Sequence, residues 1–180
     1  AVPEDSLKSV VHQLWRLNVG FNRTYVAHTS GVLSSDVLQL LRSRGARVFS
    51  FHPLQSFPKN ASVEDRVRSL QGISYGFEGD RELQSFVRGL VRDLGGKLLV
   101  VPKEAKILYH LACVFASNYL VTLLGAVETL TSRFSKARSM DFNRLIETSI
   151  GNALLSKPSA VLTGPIARGS VQTVKLHLRE

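Results

Sequence analysis

The chain has 180 residues, 44% of them apolar, and 23 Lys+Arg against 14 Asp+Glu give a formal charge of +9. That length holds one good core or two small domains, and the composition excludes a disordered chain. The single cysteine, Cys113, excludes an intrachain disulfide and suits a reducing compartment.

The first residues, AVP, read as a strand end running into a turn. Glu4 and Asp5 then open an amphipathic helix with Leu7, Val10, Val11, Leu14 and Leu17 at helical spacing. TYVAHTSG is a strand ending in a turn. SSDVLQLLRSRG is a helix capped by Ser34 or Ser35 and ended by Gly45. ARVFSFHP is a strand stopped by Pro53, and residues 54–70 hold one short helix from Val63 to Leu70. ISYGFEG is a strand, DRELQSFVRGLVRDLGG a helix with Asp80 at its cap, and KLLVVP a strand. Alternating strands and helices over residues 1–102 predict a mainly parallel sheet.

The pattern changes after Pro102. One long helix is predicted over 103–132 and a second from about Ser135 to Leu155. A loop, SKPSAVLTGPIARGS, then leads to a last helix. Residues 103–180 therefore read as an all-α domain. The stretch 107–127 has the length of a membrane span, but His110, Ser117 and Asn118 would lie inside the hydrocarbon, so no membrane is expected.

Four places carry groups suited to chemistry. On the long helix, Lys106, His110, Cys113 and Ser117 fall along one stripe, with Asn118 on the adjacent face. A Lys and a His four residues apart can share proton transfer, and their repulsion lowers both pKa values. The turn Thr29-Ser30-Gly31 stands between a strand and a helix, where backbone N–H groups suit an anion. His52 ends a strand, where open α/β sheets bind ligands. Arg168, in LTGPIARGS, could pair with an anion. The bland reading of each is a satisfied polar group or a plain turn. No metal-ligand motif, P-loop or G-x-G-x-x-G occurs. Arg42, Arg44 and Arg47 form the densest basic cluster with no aromatic residues between them, so no nucleic acid is expected as partner.

Taken together, HTSGVLSSDVL, GARVFSFHPLQSF, GFEGD, KILYHLACVFASNYLVTLL and LTGPIARGSVQTVKLHL resemble a known family. It comprises Rossmann-like proteins carrying the C-terminal domain of unknown function 2520, similar to prephenate dehydrogenase, ketopantoate reductase and 6-phosphogluconate dehydrogenase. The resemblance implies the second half of a Rossmann-like NAD(P)-binding domain over 1–102 and a helical dimerisation domain over 103–180, with the active site in the cleft between them.

It further implies an NADP or NAD cofactor, a small anionic substrate, a cytoplasmic homodimer, and oxidoreductase activity in the intact protein. Lys106, His110 and Asn118 would be catalytic. Ser30, Gly31, His52 and Arg168 would bind substrate, and Val2 and Pro3 would approach the nicotinamide. The family's glycine-rich phosphate turn does not occur in this sequence, and about 80 residues of a mononucleotide-binding half would precede Ala1. The chain thus reads as a fragment, inactive alone. The family pattern tends to Gly-Asp where Gly169-Ser170 stands. The alternative expectation is a non-catalytic dimerising or ligand-sensing module on the same fold.

Overall fold

The computed structural model describes residues 2–134 and 142–180, which divide into two compact units, residues 1–120 and 121–180. In the first unit a 3-10 turn, Glu4–Ser6, leads into helix α1 (Leu7–Arg16). Strand β1 (Tyr25–His28) follows, then a 3-10 turn running into α2 (Gln39–Arg42), then β2 (Arg47–Pro53). Next come α3 (Val63–Arg68), β3 (Ser74–Gly79), α4 (Gln84–Asp93) and β4 (Lys97–Val100). The unit ends with α5 (Lys106–Val114) and a π-helical turn at Phe115–Tyr119. Val2 and Pro3 are not in a strand, unlike the sequence expectation.

The sheet order is β1-β2-β3-β4. β1 and β2 are parallel, as are β3 and β4, but β2 and β3 are antiparallel. Two of the three pairings are parallel, as expected of a mainly parallel α/β sheet, and the third makes the sheet mixed. The reason lies in the connection 54–73. Pro53 pairs with Tyr75, so the chain leaves and re-enters at the same end of the sheet and makes no crossover.

Alternation along β2 and β3 separates two faces. Phe49, Phe51, Tyr75 and Phe77 lie on one and pack with Leu83, Val87 and Val91 around α4. Ser50, His52, Gly76 and Glu78 occupy the alternate positions, and α5 sends Lys106 and Tyr109 to them. A second core of Val11, Leu38, Leu41, Ala46 and Val48 packs α1 and α2 on the sheet.

Two caps differ from expectation. Neither Ser34 nor Asp80 makes a side-chain cap. Ser35 instead donates its N–H and its hydroxyl to the buried carboxylate of Glu78, at 2.6 and 2.9 Å. Asp80 pairs with Arg42 at 3.2 Å. The cap at α3 is regular: Ser62 accepts from the Asp65 N–H at 3.0 Å.

The second unit contains α6 (Leu120–Phe134) from its second residue on, α7 (Asn143–Leu155), the single turns α8 (Pro158–Val161) and α9 (Gly164–Ala167), and α10 (Val171–His177). The expected start of the second helix at Ser135 lies outside the described residues. The expected loop around LTGPIARGS contains α8 and α9. The first unit runs on to Leu120, whereas the sequence pattern changes after Pro102.

Candidate active site

The site forms in the first unit, where the C-terminal end of β1 lies beside the middle of β2. His28 pairs with Ser50 in the parallel ladder, and the Thr29-Ser30-Gly31 turn leaves the sheet there. Lys106, the first residue of α5, is buried. Its ammonium donates to Ser50 Oγ at 2.8 Å and to the Ser30 carbonyl at 3.3 Å. Ser50 Oγ–H also reaches the Ser30 carbonyl, at 3.3 Å. No described carboxylate lies within ion-pair distance of Lys106, and burial lowers its pKa.

Ser30 is engaged at every polar atom. Its N–H donates to His28 Nδ1 at 3.2 Å, its hydroxyl donates to Glu4 at 2.6 Å, and its Oγ accepts from Leu33 N–H at 3.1 Å. Because His28 Nδ1 accepts, Nε2 carries the proton and donates to the Ser34 carbonyl at 3.1 Å. Burial, the largest cause, lowers the His28 pKa. His28 is thus a neutral brace for the turn.

Gly31 brings the turn against two imidazoles. A Cβ there would stand 2.7 Å from His110 Cδ2 and 3.1 Å from both Cε1 and Nε2 of His52. On its other edge His52 Nδ1 meets the Tyr109 hydroxyl at 2.7 Å. Burial, then the charges of Lys106 and His110, push the His52 pKa down to about 4. Burial raises that of Tyr109.

His52 and His110 stand in the walls of two cavities. One, of about 520 Å³, has Val2, Glu4, His28, Ser30 and Gly31 among its lining, with apolar residues of α1 behind. The other, of about 660 Å³, is lined by Gln55, Ser56, Cys113, Ser117 and Asn118. Helical periodicity puts Asn118 off the Lys106 stripe. Ser117 and Asn118 both lie in the π turn at Phe115–Tyr119, and both line the second cavity.

The structure thus gathers Val2, Ser30, Gly31, His52, Lys106, His110 and Asn118 in one unit. Pro3 is not among the cavity-lining residues, and Arg168 belongs to the second unit. Sequence reasoning missed Tyr109, Ser50 and Glu78. Tyr109 shares a helix face with Lys106 and His110 by spacing, which is the one signal available for it.

The cavity with Val2 and Ser30 at its wall combines apolar residues of α1 with Glu4, His28, His52 and His110. None of its lining residues would hold a pyrophosphate.

This mixed sheet followed by helices is the fold of Rossmann-like dehydrogenases. The crystal structure of protein TM1727 from Thermotoga maritima matches with a TM-score of 0.75 and 29% identity, over 99% of this chain and 66% of that one. A second match, described as a candidate NADP oxidoreductase, is BF3122 from Bacteroides fragilis, with TM-score 0.79, 18% identity and coverage of 99% and 65%. A reductive aminase from Aspergillus terreus, in complex with NADPH and ethyl levulinate, matches at TM-score 0.59 and 14% identity, over 82% of this chain and 50% of that one. The chain therefore spans just under two thirds of the length of the first two. No curated protein matches it in sequence. Residues 73–180 match the model of the domain of unknown function DUF2520, and the chain belongs to that family.

Proposed function

We propose that the chain is part of an NAD(P)-dependent oxidoreductase acting on a small substrate at the Gly31 turn. One observation carries this reading: a buried lysine and two imidazoles converge on the turn at the C-terminal end of β1, beside the parallel strand β2. That is where open α/β sheets place their ligands. A bound nicotinamide would supply or accept the hydride.

This chain's residues would handle the substrate. His110 faces both cavities and is the proton carrier. Lys106 lies behind the turn with its hydrogen bonds directed at Ser50 and Ser30, so it acts through its charge. That charge suits an anionic substrate group and, after burial, helps to keep His52 neutral. Asn118 and His52 orient the substrate, the Ser30–Gly31 turn anchors it, and Val2 with Pro3 flanks the nicotinamide side. Arg168 is held as a further anion partner in the complete protein.

The same proposal includes a soluble, cytoplasmic homodimer without membrane or nucleic-acid partners. The stretch Lys103–Phe134 has the length and composition of a membrane span, but its Lys106 and Tyr109 bond to residues of the sheet. The second unit leaves Leu154 and Leu155 more than 80% exposed, which supports burial against a second copy.

The test is NADPH and NADH binding to the full-length protein, followed by turnover with small carboxylate-bearing carbonyl compounds. Binding plus turnover that His110→Ala lowers at least tenfold is the expected result. Failure to bind either dinucleotide overturns the enzyme reading.

A further inference from the structure

We infer that Tyr109 is a positioning residue: it donates to Nδ1 of His52, holds the imidazole proton on Nε2, and so presents an N–H donor to the carbonyl oxygen of a ligand beside the Gly31 turn. The inference deepens the functional reading above and rests on it for the identity of the ligand, but not for the state of the imidazole.

The geometry begins in the sheet. His52 on β2 stands opposite Gly76 on β3. Gly76 has no side chain, and the Tyr109 hydroxyl occupies the place where its Cβ would be. The phenol is thereby brought to 2.7 Å from His52 Nδ1, with the two rings nearly perpendicular at 88°. A larger residue at 76 would push the hydroxyl away. The glycine, the tyrosine and the histidine thus form one arrangement contributed by β2, β3 and α5.

The direction of that hydrogen bond follows from the chemistry of the two groups. A neutral imidazole has one N–H and one bare nitrogen. The phenol is the stronger acid and the bare ring nitrogen the stronger acceptor, so O–H···N is the favoured sense. Burial first, and then the neighbouring Cys113, keep the proton on Tyr109, and His52 is held neutral by burial and by Lys106 and His110 on α5. With Nδ1 accepting, the remaining proton sits on Nε2.

Nε2 has no hydrogen-bond partner among the described residues, it faces the Gly31 turn, and His52 stands in the walls of both cavities. A donor that is half-buried and unpartnered suits an acceptor group that arrives with a ligand. A carbonyl oxygen that gains negative charge during reduction is such a group, and a neutral N–H stabilises it without giving up its proton.

The test is the tautomer of His52, read by long-range 15N–1H correlation on the ligand-free protein at pH 7, with His52→Gln to assign the signals. Expected is a single tautomer, Nε2 protonated and Nδ1 bare. In Tyr109→Phe, which preserves the ring, the Nδ1 signal is expected to shift and average as both tautomers become populated. A wild-type His52 with the proton on Nδ1 overturns the inference. So does an unchanged Nδ1 signal in a folded Tyr109→Phe. If that variant does not fold, the wild-type spectrum still decides. None of these readings needs turnover, so absence of oxidoreductase activity would be a separate failure.

Discussion

Lys106 on α5 reaches Ser50 in the middle of β2, and the ammonium–hydroxyl distance is 2.8 Å with both residues buried. This contact ties the helix to the polar face of the sheet. It also places a positive charge, with no ion-pair partner among the described residues, behind the two imidazoles.

Removing that charge is expected to move His52. In Lys106→Met the repulsion that helps lower its pKa is gone, so the value rises from about 4 toward the usual range. An NMR titration of the His52 ring reads this directly. Stability is expected to change by no more than about 1 kcal/mol, since a buried charge and its hydrogen bonds give way to an apolar chain of similar length.

His52 also sets a pH dependence of stability. Its folded pKa lies below the unfolded one, so between about 6.5 and about 4 the unfolded chain binds more protons than the folded one. The contribution is complete above the unfolded value and declines as pH falls through that window. His28 acts in the same direction. Urea midpoints at pH 7 and pH 5 should differ, and His52→Gln should shrink the difference.

Gly31→Ala tests the close approach at the turn. The new methyl would lie 2.7 Å from the His110 ring, so the ring or the turn must move. A loss of roughly 1–3 kcal/mol is expected from such overpacking. Shifted ring signals of both His52 and His110 should accompany it. A midpoint equal to wild type with unmoved signals would show that the turn has room.

Glu78 carries the start of the segment leading to α2. Its carboxylate accepts two bonds from Ser35 in a buried setting. Glu78→Ala leaves the Ser35 N–H and hydroxyl without that partner, at a cost of about 1–3 kcal/mol. Ser35→Ala retains the N–H bond and is expected to lose less, which a pair of denaturation curves would compare.

The dimer proposal has its own check. Leu155 is 88% exposed on α7. If a second copy covers it, Leu155→Glu should shift the sedimentation coefficient from dimer to monomer. A wild-type protein that is monomeric at all concentrations would end that reading.

Much of the fold could be read from local pattern. Acidic residues before an apolar stripe marked α1, and β-branched and aromatic runs marked all four strands, because those signals act over a few residues. The candidate site was legible where a residue type is costly in its setting: Lys106 and His110 in an apolar helix, His52 at a strand end, Ser30-Gly31 in a turn.

Partnership was not legible. Nothing near Ser50 or Gly76 in the chain marks them out, and Tyr109 has only its helix face shared with Lys106 and His110, because each acts on a residue tens of positions away, through pairing of β2 with β3 and docking of α5. The antiparallel step between β2 and β3 and the π turn that contains Asn118 were likewise not legible in local pattern. Sequence periodicity alone determined which groups this protein has available and on which elements. Only the tertiary structure decided that Lys106 would be buried against Ser50 while His52 and His110 face the cavities, since burial and hydrogen bonding depend on distances that no local pattern encodes.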